Sequence, residues 1–127
     1  MRWRAGAVLL AVGALAACTS PEPLVRSDPD FCTHLIAGVA DYTDFATAVT
    51  DGAEVTAPER DVAASYVAAL RASAPDDAAV AAALDVFTTP YELDRHAQGQ
   101  NDTPPEPVDA DTLKASTSTL LTACATP

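Results

Sequence analysis

The sequence predicts an all-α fold, a four-helix up-down bundle with a short extra helical segment. Three observations in the 127 residues carry this reading. From Phe31 onward, apolar residues return every three or four positions, the period of one helix face. Several of these stretches open on a helix-start signal, an Asp or Thr followed by Pro or by Glu three residues on. No segment shows the sustained two-residue alternation of a half-buried strand, and the chain has no internal repeat.

The first helix is expected to begin at Asp28-Pro29. An N-cap is followed there by a Pro in the first turn, where a missing N–H removes no hydrogen bond. Phe31, Leu35, Val39, Tyr42, Phe45 and Val49 form its inward stripe. Asp41, Asp44 and Asp51 fall off that stripe, and Gly52 ends the helix. Thr56 opens the second helix with Glu59 at capping-box spacing and Pro58 inside the first turn. Val62, Tyr66, Ala69 and Leu70 are its expected buried side. Ser73-Ala74-Pro75 breaks this helix and starts a third. Asp76 and Asp77 then fall in a first turn, where the helix dipole favours negative charge. Val80, Ala83, Leu84 and Phe87 point inward. Thr88-Thr89-Pro90 interrupts again, and Thr89 and Glu92 repeat the capping-box spacing, so a short helix is expected to about Gln98. Residues 99–108, with Pro104, Pro105 and Pro107, read as a loop. The last helix starts at Asp109 and carries Leu113, Thr117, Leu120, Leu121 and Cys124. Its Ser/Thr run at 116–119 lowers intrinsic propensity, so this helix must lean on tertiary packing.

The N-terminus has a different character. Arg2 and Arg4 supply positive charge, residues 5–14 are almost wholly apolar, and Ala16 and Ala17 are small, which are the three parts of a secretory signal. The apolar run falls short of the ~20 residues a spanning helix needs. The apolar run at 78–84 is shorter still and stops at Asp85. Leu15-Ala16-Ala17-Cys18 resembles the lipobox of bacterial lipoproteins. The resemblance implies cleavage before Cys18 and a diacylglyceryl group on its sulfur. It divides the chain into a signal peptide (1–17), a lipidated Cys18 with a flexible tether (18–28) and a helical bundle domain (29–127). It also implies export by the general secretory route and attachment to the extracytoplasmic face of the cell membrane. The alternative is an ordinary signal peptide cut near an Ala-x-Ala-like site, with Cys18 merely adjacent. Abundant Ala, Asp and Thr with almost no Lys resembles actinobacterial proteins. The remainder of the chain resembles small actinobacterial lipoproteins only loosely, and that likeness transfers no functional residue except Cys18.

Under this resemblance one of the three cysteines carries lipid. Cys32 and Cys124 then remain as a pair in an exported chain, and a disulfide between them is expected. Closing a loop of about 90 residues is worth roughly 4–5 kcal/mol in the chain-entropy model. Two unpaired buried thiols are the alternative. The pairing bears on topology, because Cys32 lies in the first turn of the first helix and Cys124 in the last turn of the last. An up-down bundle brings those ends together only with an even number of long helices. That favours four, with the Pro90 segment as the added piece.

Charge narrows the partners. The chain holds 18 acids against seven basic residues, a formal charge of −11. Loss of residues 1–17 would leave Arg26, Arg60, Arg71, Arg95 and Lys114 as the only basic residues. Nucleic acid is excluded as a partner, since no basic patch offsets phosphate repulsion. His34 follows Asp30 by four, and His96 follows Glu92 by four near a helix end. A surface ion pair and a C-terminal cap explain them as well as metal ligation does, and no metal-ligand spacing links the two. Asp109 and Asp111 read as an N-cap and a first-turn acid, without the acids and Gly of a calcium loop. No nucleophile elbow or phosphate-binding Gly loop is present. The expectation is a non-catalytic envelope lipoprotein without cofactor or metal, acting on a protein partner through a helix face or the 99–108 loop. The alternative is ligand or metal capture by His34, His96 and nearby acids. Oligomeric state is not specified.

Overall fold

The structure, a computed structural model, describes residues 29–125. The expected signal peptide, Cys18 and the tether lie outside the described residues. Five helices follow one another: α1 (Pro29–Thr50), α2 (Ala57–Ser73), α3 (Ala78–Phe87), α4 (Thr89–Ala97) and α5 (Ala110–Ala125), with no strand among the described residues. The fold is all-α. Four of the helices form the bundle, and α4, nine residues long, is the short extra segment.

Local chemistry explains most boundaries. Gly52 adopts φ +73°, a left-handed conformation in which a Cβ is strained. Its N–H bonds Val49 O at 3.1 Å while that of Ala53 bonds Ala48 O at 2.8 Å, closing α1 in a Schellman motif. At the start of α2, Thr56 N–H donates to Glu59 Oε1 at 2.8 Å and Glu59 N–H donates to Thr56 Oγ1 at 3.3 Å, the reciprocal pair expected. The third helix starts later than expected. Asp77 is its N-cap, accepting from Val80 N–H at 3.0 Å, so Asp76 precedes the helix. The capping box expected at Thr89 and Glu92 does not form. The Thr88 and Thr89 hydroxyls donate back to Leu84 O and Asp85 O, each at 2.9 Å, which welds the α3–α4 corner. Glu92 turns its carboxylate to arginines instead.

In packing, α1 is central. It touches α2, α4 and α5, while α3 lies on α5 and α4. The backbones of α2 and α3 never approach within 8 Å although they are successive. Aromatic rings fill the space between. Tyr42 stands 4.7 Å from Phe87, 5.5 Å from Tyr66 and 5.8 Å from Phe45, ring centroid to centroid, and Tyr66 meets Phe87 edge-on at 6.3 Å. The two buried tyrosines find acceptors on neighbouring helices. Tyr42 donates to Phe87 O at 2.7 Å, one of the carbonyls left over at the end of α3, and Tyr66 donates to Leu35 O at 2.6 Å. Burial pushes both phenols well above their ordinary value.

The stripe on α1 is buried as expected at Phe31, Leu35, Tyr42 and Phe45. Two expectations fail. Val62 is 55% exposed, and Ala63 and Val67 take the inward positions of α2 with Tyr66 and Leu70. The two helices approach closely here, with the Tyr66 ring packed directly against Gly38. Leu121 is 36% exposed, while Ser116 joins Leu113 and Leu120 in the core with its hydroxyl bonded to Leu113 O at 2.8 Å. Cys32 and Cys124 form a disulfide across 92 residues, with Cα atoms 5.5 Å apart. The start of α1 therefore lies beside the end of α5, as an even-numbered bundle requires.

Candidate functional site

Polar chemistry gathers around α4. Asp94 accepts from Arg60 Nε at 2.9 Å, with the carboxylate largely buried. Glu92 binds Arg71 at 2.9 Å through one oxygen and Arg95 at 3.1 Å through the other. Arg71 and Arg95 both stand 5.9 Å from the centre of the Tyr91 ring, within cation–π range. Partial burial pushes the Glu92 carboxyl up, but hydrogen bonds and charge from Arg71 and Arg95 together outweigh this and hold it below the usual carboxylate range. Asn101 donates to Glu92 O and Glu92 Oε1, each at 3.2 Å, which ties the loop at 99–108 to the same group. Its Oδ1 is buried without a hydrogen-bond partner. The network clamps α4 to α2 and holds the root of the loop.

Sequence reading counted these arginines only as charge. Arg60 and Asp94 are 34 residues apart, and Arg71 and Glu92 lie on different helices, so no local spacing shows either pair.

His96 stands at the end of α4 with Nδ1 3.1 Å from Asn101 O, and Gly99 (φ +75°) closes the helix beneath it. Asp30 and His34 are both exposed on α1, and among the described residues no ion pair joins them. His34 borders a groove of about 570 Å³ between α1 and α2, which Asp41, Asp44, Glu59, Val62 and Tyr66 also line. Asp109 is the N-cap of α5, accepting from Thr112 N–H at 2.7 Å, and that bond lowers its pKa. Among the described residues, no three His, Cys, Asp or Glu side chains come together to hold a metal ion. No helix among them is long and apolar enough to cross a membrane.

A second groove, of about 560 Å³, runs between α1 and α5 and is lined mainly by threonine, leucine and alanine. A third lies where the end of α1 meets Arg60, Asp94 and Val108. The surface thus offers inter-helix grooves, and the ion pairs among the described residues are spent on holding α4 and the root of the loop. No protein-family model, curated protein or solved structure matches the chain.

Proposed function

We propose that the chain is a membrane-anchored cell-envelope lipoprotein acting as a non-catalytic protein-binding module, held on the extracytoplasmic face by lipid on Cys18. The observation that carries the reading is the pairing of Cys32 with Cys124, which leaves Cys18 as the remaining thiol of three. Disulfides persist in oxidising compartments, in keeping with export. Cys18 ends the lipobox-like Leu15-Ala16-Ala17-Cys18. With residues 1–17 removed, five basic residues face eighteen acids, so an anionic bilayer repels the domain and a covalent anchor is needed to keep it there. Two acyl chains on one residue hold firmly, at roughly 0.8 kcal/mol per buried CH₂. The stretch at 18–28 spans at most about 35–40 Å, which limits how far the domain stands from the surface. The helical surface offers inter-helix grooves that suit the binding of another protein.

The experiment is fractionation of cells producing the wild-type chain or Cys18→Ser. The wild type is expected in the membrane fraction, with a mass showing loss of residues 1–17 and gain of acyl chains. The variant is expected in the medium. Retention of Cys18→Ser in the membrane fraction, in wild-type amounts, rejects the anchor.

A further inference from the structure

Of the inter-helix grooves, the one between α1 and α2 is set apart by its charge. Asp41, Asp44 and Glu59 line it, and no Lys or Arg does. The groove between α1 and α5 carries Lys114, and the third carries Arg60. Among the described residues, no ion pair engages Asp41, Asp44 or Glu59. Arg60, next to Glu59 in the chain, is bonded to Asp94 instead. Glu59 accepts from Thr56 N–H, and that bond holds its carboxyl below the usual carboxylate range. Three carboxylates thus share a groove in which His34 is the only basic side chain.

The acids are gathered at one end. Helices α1 and α2 are joined by residues 51–56 and run antiparallel, and the contact of Tyr66 with Gly38 sets their register. Glu59 lies seven residues before Tyr66 and Asp44 six after Gly38, so the two stand at about the same height. Val62 and Asp41 are level in the same way, one turn nearer the middle. The half of the groove nearer the 51–56 connection is therefore acidic, and the connection itself adds the exposed Asp51 and Glu54. Ala37 and Ala69 line the other half with His34. Val62, a large hydrophobic residue left 55% exposed, lies in this same groove.

We infer that this groove receives a basic amphipathic helix of a partner protein, with apolar side chains on Val62 and the alanines and lysines or arginines on Asp41, Asp44 and Glu59. The inference rests on the protein-binding reading above and adds to it the face and the partner's chemistry. Charge complementarity selects the partner, since an acidic groove on an acidic chain steers cationic segments in and turns acidic ones away. The groove walls select a helix. Both walls are helices with their backbone groups bonded internally, so an extended segment would bury N–H and C=O groups that find no partner. A helix arrives with its backbone already satisfied. Asp41 and Asp44 stand one turn apart, which matches basic residues three or four apart on the incoming helix. From His34 to Phe45 the groove runs about 17 Å, or about three turns. The apolar stems of Lys and Arg lie over the alanines while their charged heads reach the carboxylates.

The test titrates the purified full chain into a fluorescently labelled Leu/Lys peptide of about 14 residues with Leu at helical spacing, and into its counterpart with Glu at every Lys. The Lys peptide is expected to bind and gain helicity, the Glu peptide to stay free, and added salt to weaken the complex. Asp41, Asp44 and Val62 are all exposed, so their replacement leaves the core untouched, which circular dichroism of each variant checks. Asp41→Lys with Asp44→Lys is expected to weaken binding about tenfold, and Val62→Asp by a similar factor. Asp76→Lys with Asp102→Lys changes net charge equally at exposed sites outside the groove and is expected to weaken binding only about twofold. The inference is overturned if the Lys peptide stays free, if both double variants lose affinity equally, or if Val62→Asp binds like the wild type. Such a failure leaves the protein-binding reading standing. A photo-crosslinking amino acid at position 36, 62 or 121 of the full chain in intact cells tests that reading separately. A partner captured at 62 through a basic amphipathic segment supports both. A partner captured only at 36 or 121, or at 62 through a segment without basic residues, keeps the protein-binding reading and overturns this inference. No partner at any of the three positions rejects the reading and the inference with it.

Discussion

Gly38→Ala should destabilise this protein, against the direction helix propensity predicts. Gly38 lies mid-way along α1, where Ala is favoured over Gly by about 1 kcal/mol. A Cβ at this position meets Tyr66 Cδ1 at 2.6 Å and Cε1 at 2.7 Å, closer than real Cβ contacts come. The ring cannot swing away freely, because its hydroxyl is fixed on Leu35 O at 2.6 Å and its far side meets Tyr42 and Phe87. Overpacking of this kind costs ~1–3 kcal/mol, and loss of the Tyr66 hydrogen bond adds about 1 kcal/mol. After the propensity gain, the net loss is about 1–3 kcal/mol, or roughly 5–15 °C in Tm for a domain of this size. Urea unfolding followed by circular dichroism, with the disulfide intact, measures it. The companion measurement is Gly38→Ala on a Tyr66→Ala background, where the clash is gone and the same substitution should stabilise by about 1 kcal/mol. A Gly38→Ala protein more stable than wild type would refute the claim that this close approach sets the α1–α2 seam.

Two further outcomes follow from the same contacts. Replacing Cys32 and Cys124 together by Ala frees a loop of 92 residues and should remove roughly 4–5 kcal/mol, a large share of a small domain's stability, visible as a steep fall in Tm that reductant reproduces in the wild type. Acid should weaken the fold through Glu92, whose folded pKa lies below its ordinary 4.5. Between the two values the unfolded chain holds the proton and the folded one does not, so stability is full above pH 4.5 and declines as pH falls through the folded value. Arg71→Ala should flatten that decline in pH-dependent urea titrations, with a loss at neutral pH of at most ~1 kcal/mol because Arg71 is half exposed and water screens the pair.

Helix existence and order were legible because they rest on local rules. The Thr56–Glu59 box, the Gly52 stop and the 31–35–42–45 stripe each involve residues within a turn or two. What was misread depended on partners far along the chain. Val62 looks more like core than Ala63 by size, but Ala63 is the one turned inward, on the helix whose Tyr66 ring packs directly against Gly38 of α1. Thr89 and Glu92 have capping-box spacing, yet each has a stronger option, a carbonyl on the preceding helix for one and two guanidiniums for the other. The Ser/Thr run in α5 was read as a weakness of propensity. Together with the threonines of α1 it lines the groove between the two helices, and nothing in either helix alone marks the two as neighbours. The Cys32–Cys124 pairing came from the lipobox resemblance at residue 18, and the structure bears out the pair while leaving residue 18 itself undescribed.

The allocation of positive charge links the fold to the proposed role. Arg60, Arg71 and Arg95 are all drawn to Asp94 and Glu92, so the cations of α2 and α4 stabilise an internal joint and neutralise almost none of the outer acids. The remaining surface repels an anionic bilayer, a nucleic acid and, over most of its area, another copy of itself. Two kinds of contact escape that repulsion. One is covalent, the lipid proposed on Cys18, which needs no surface at all. The other is a face with few acids, and the groove between α1 and α5 is one, lined by a single acid, Asp51, and by Lys114.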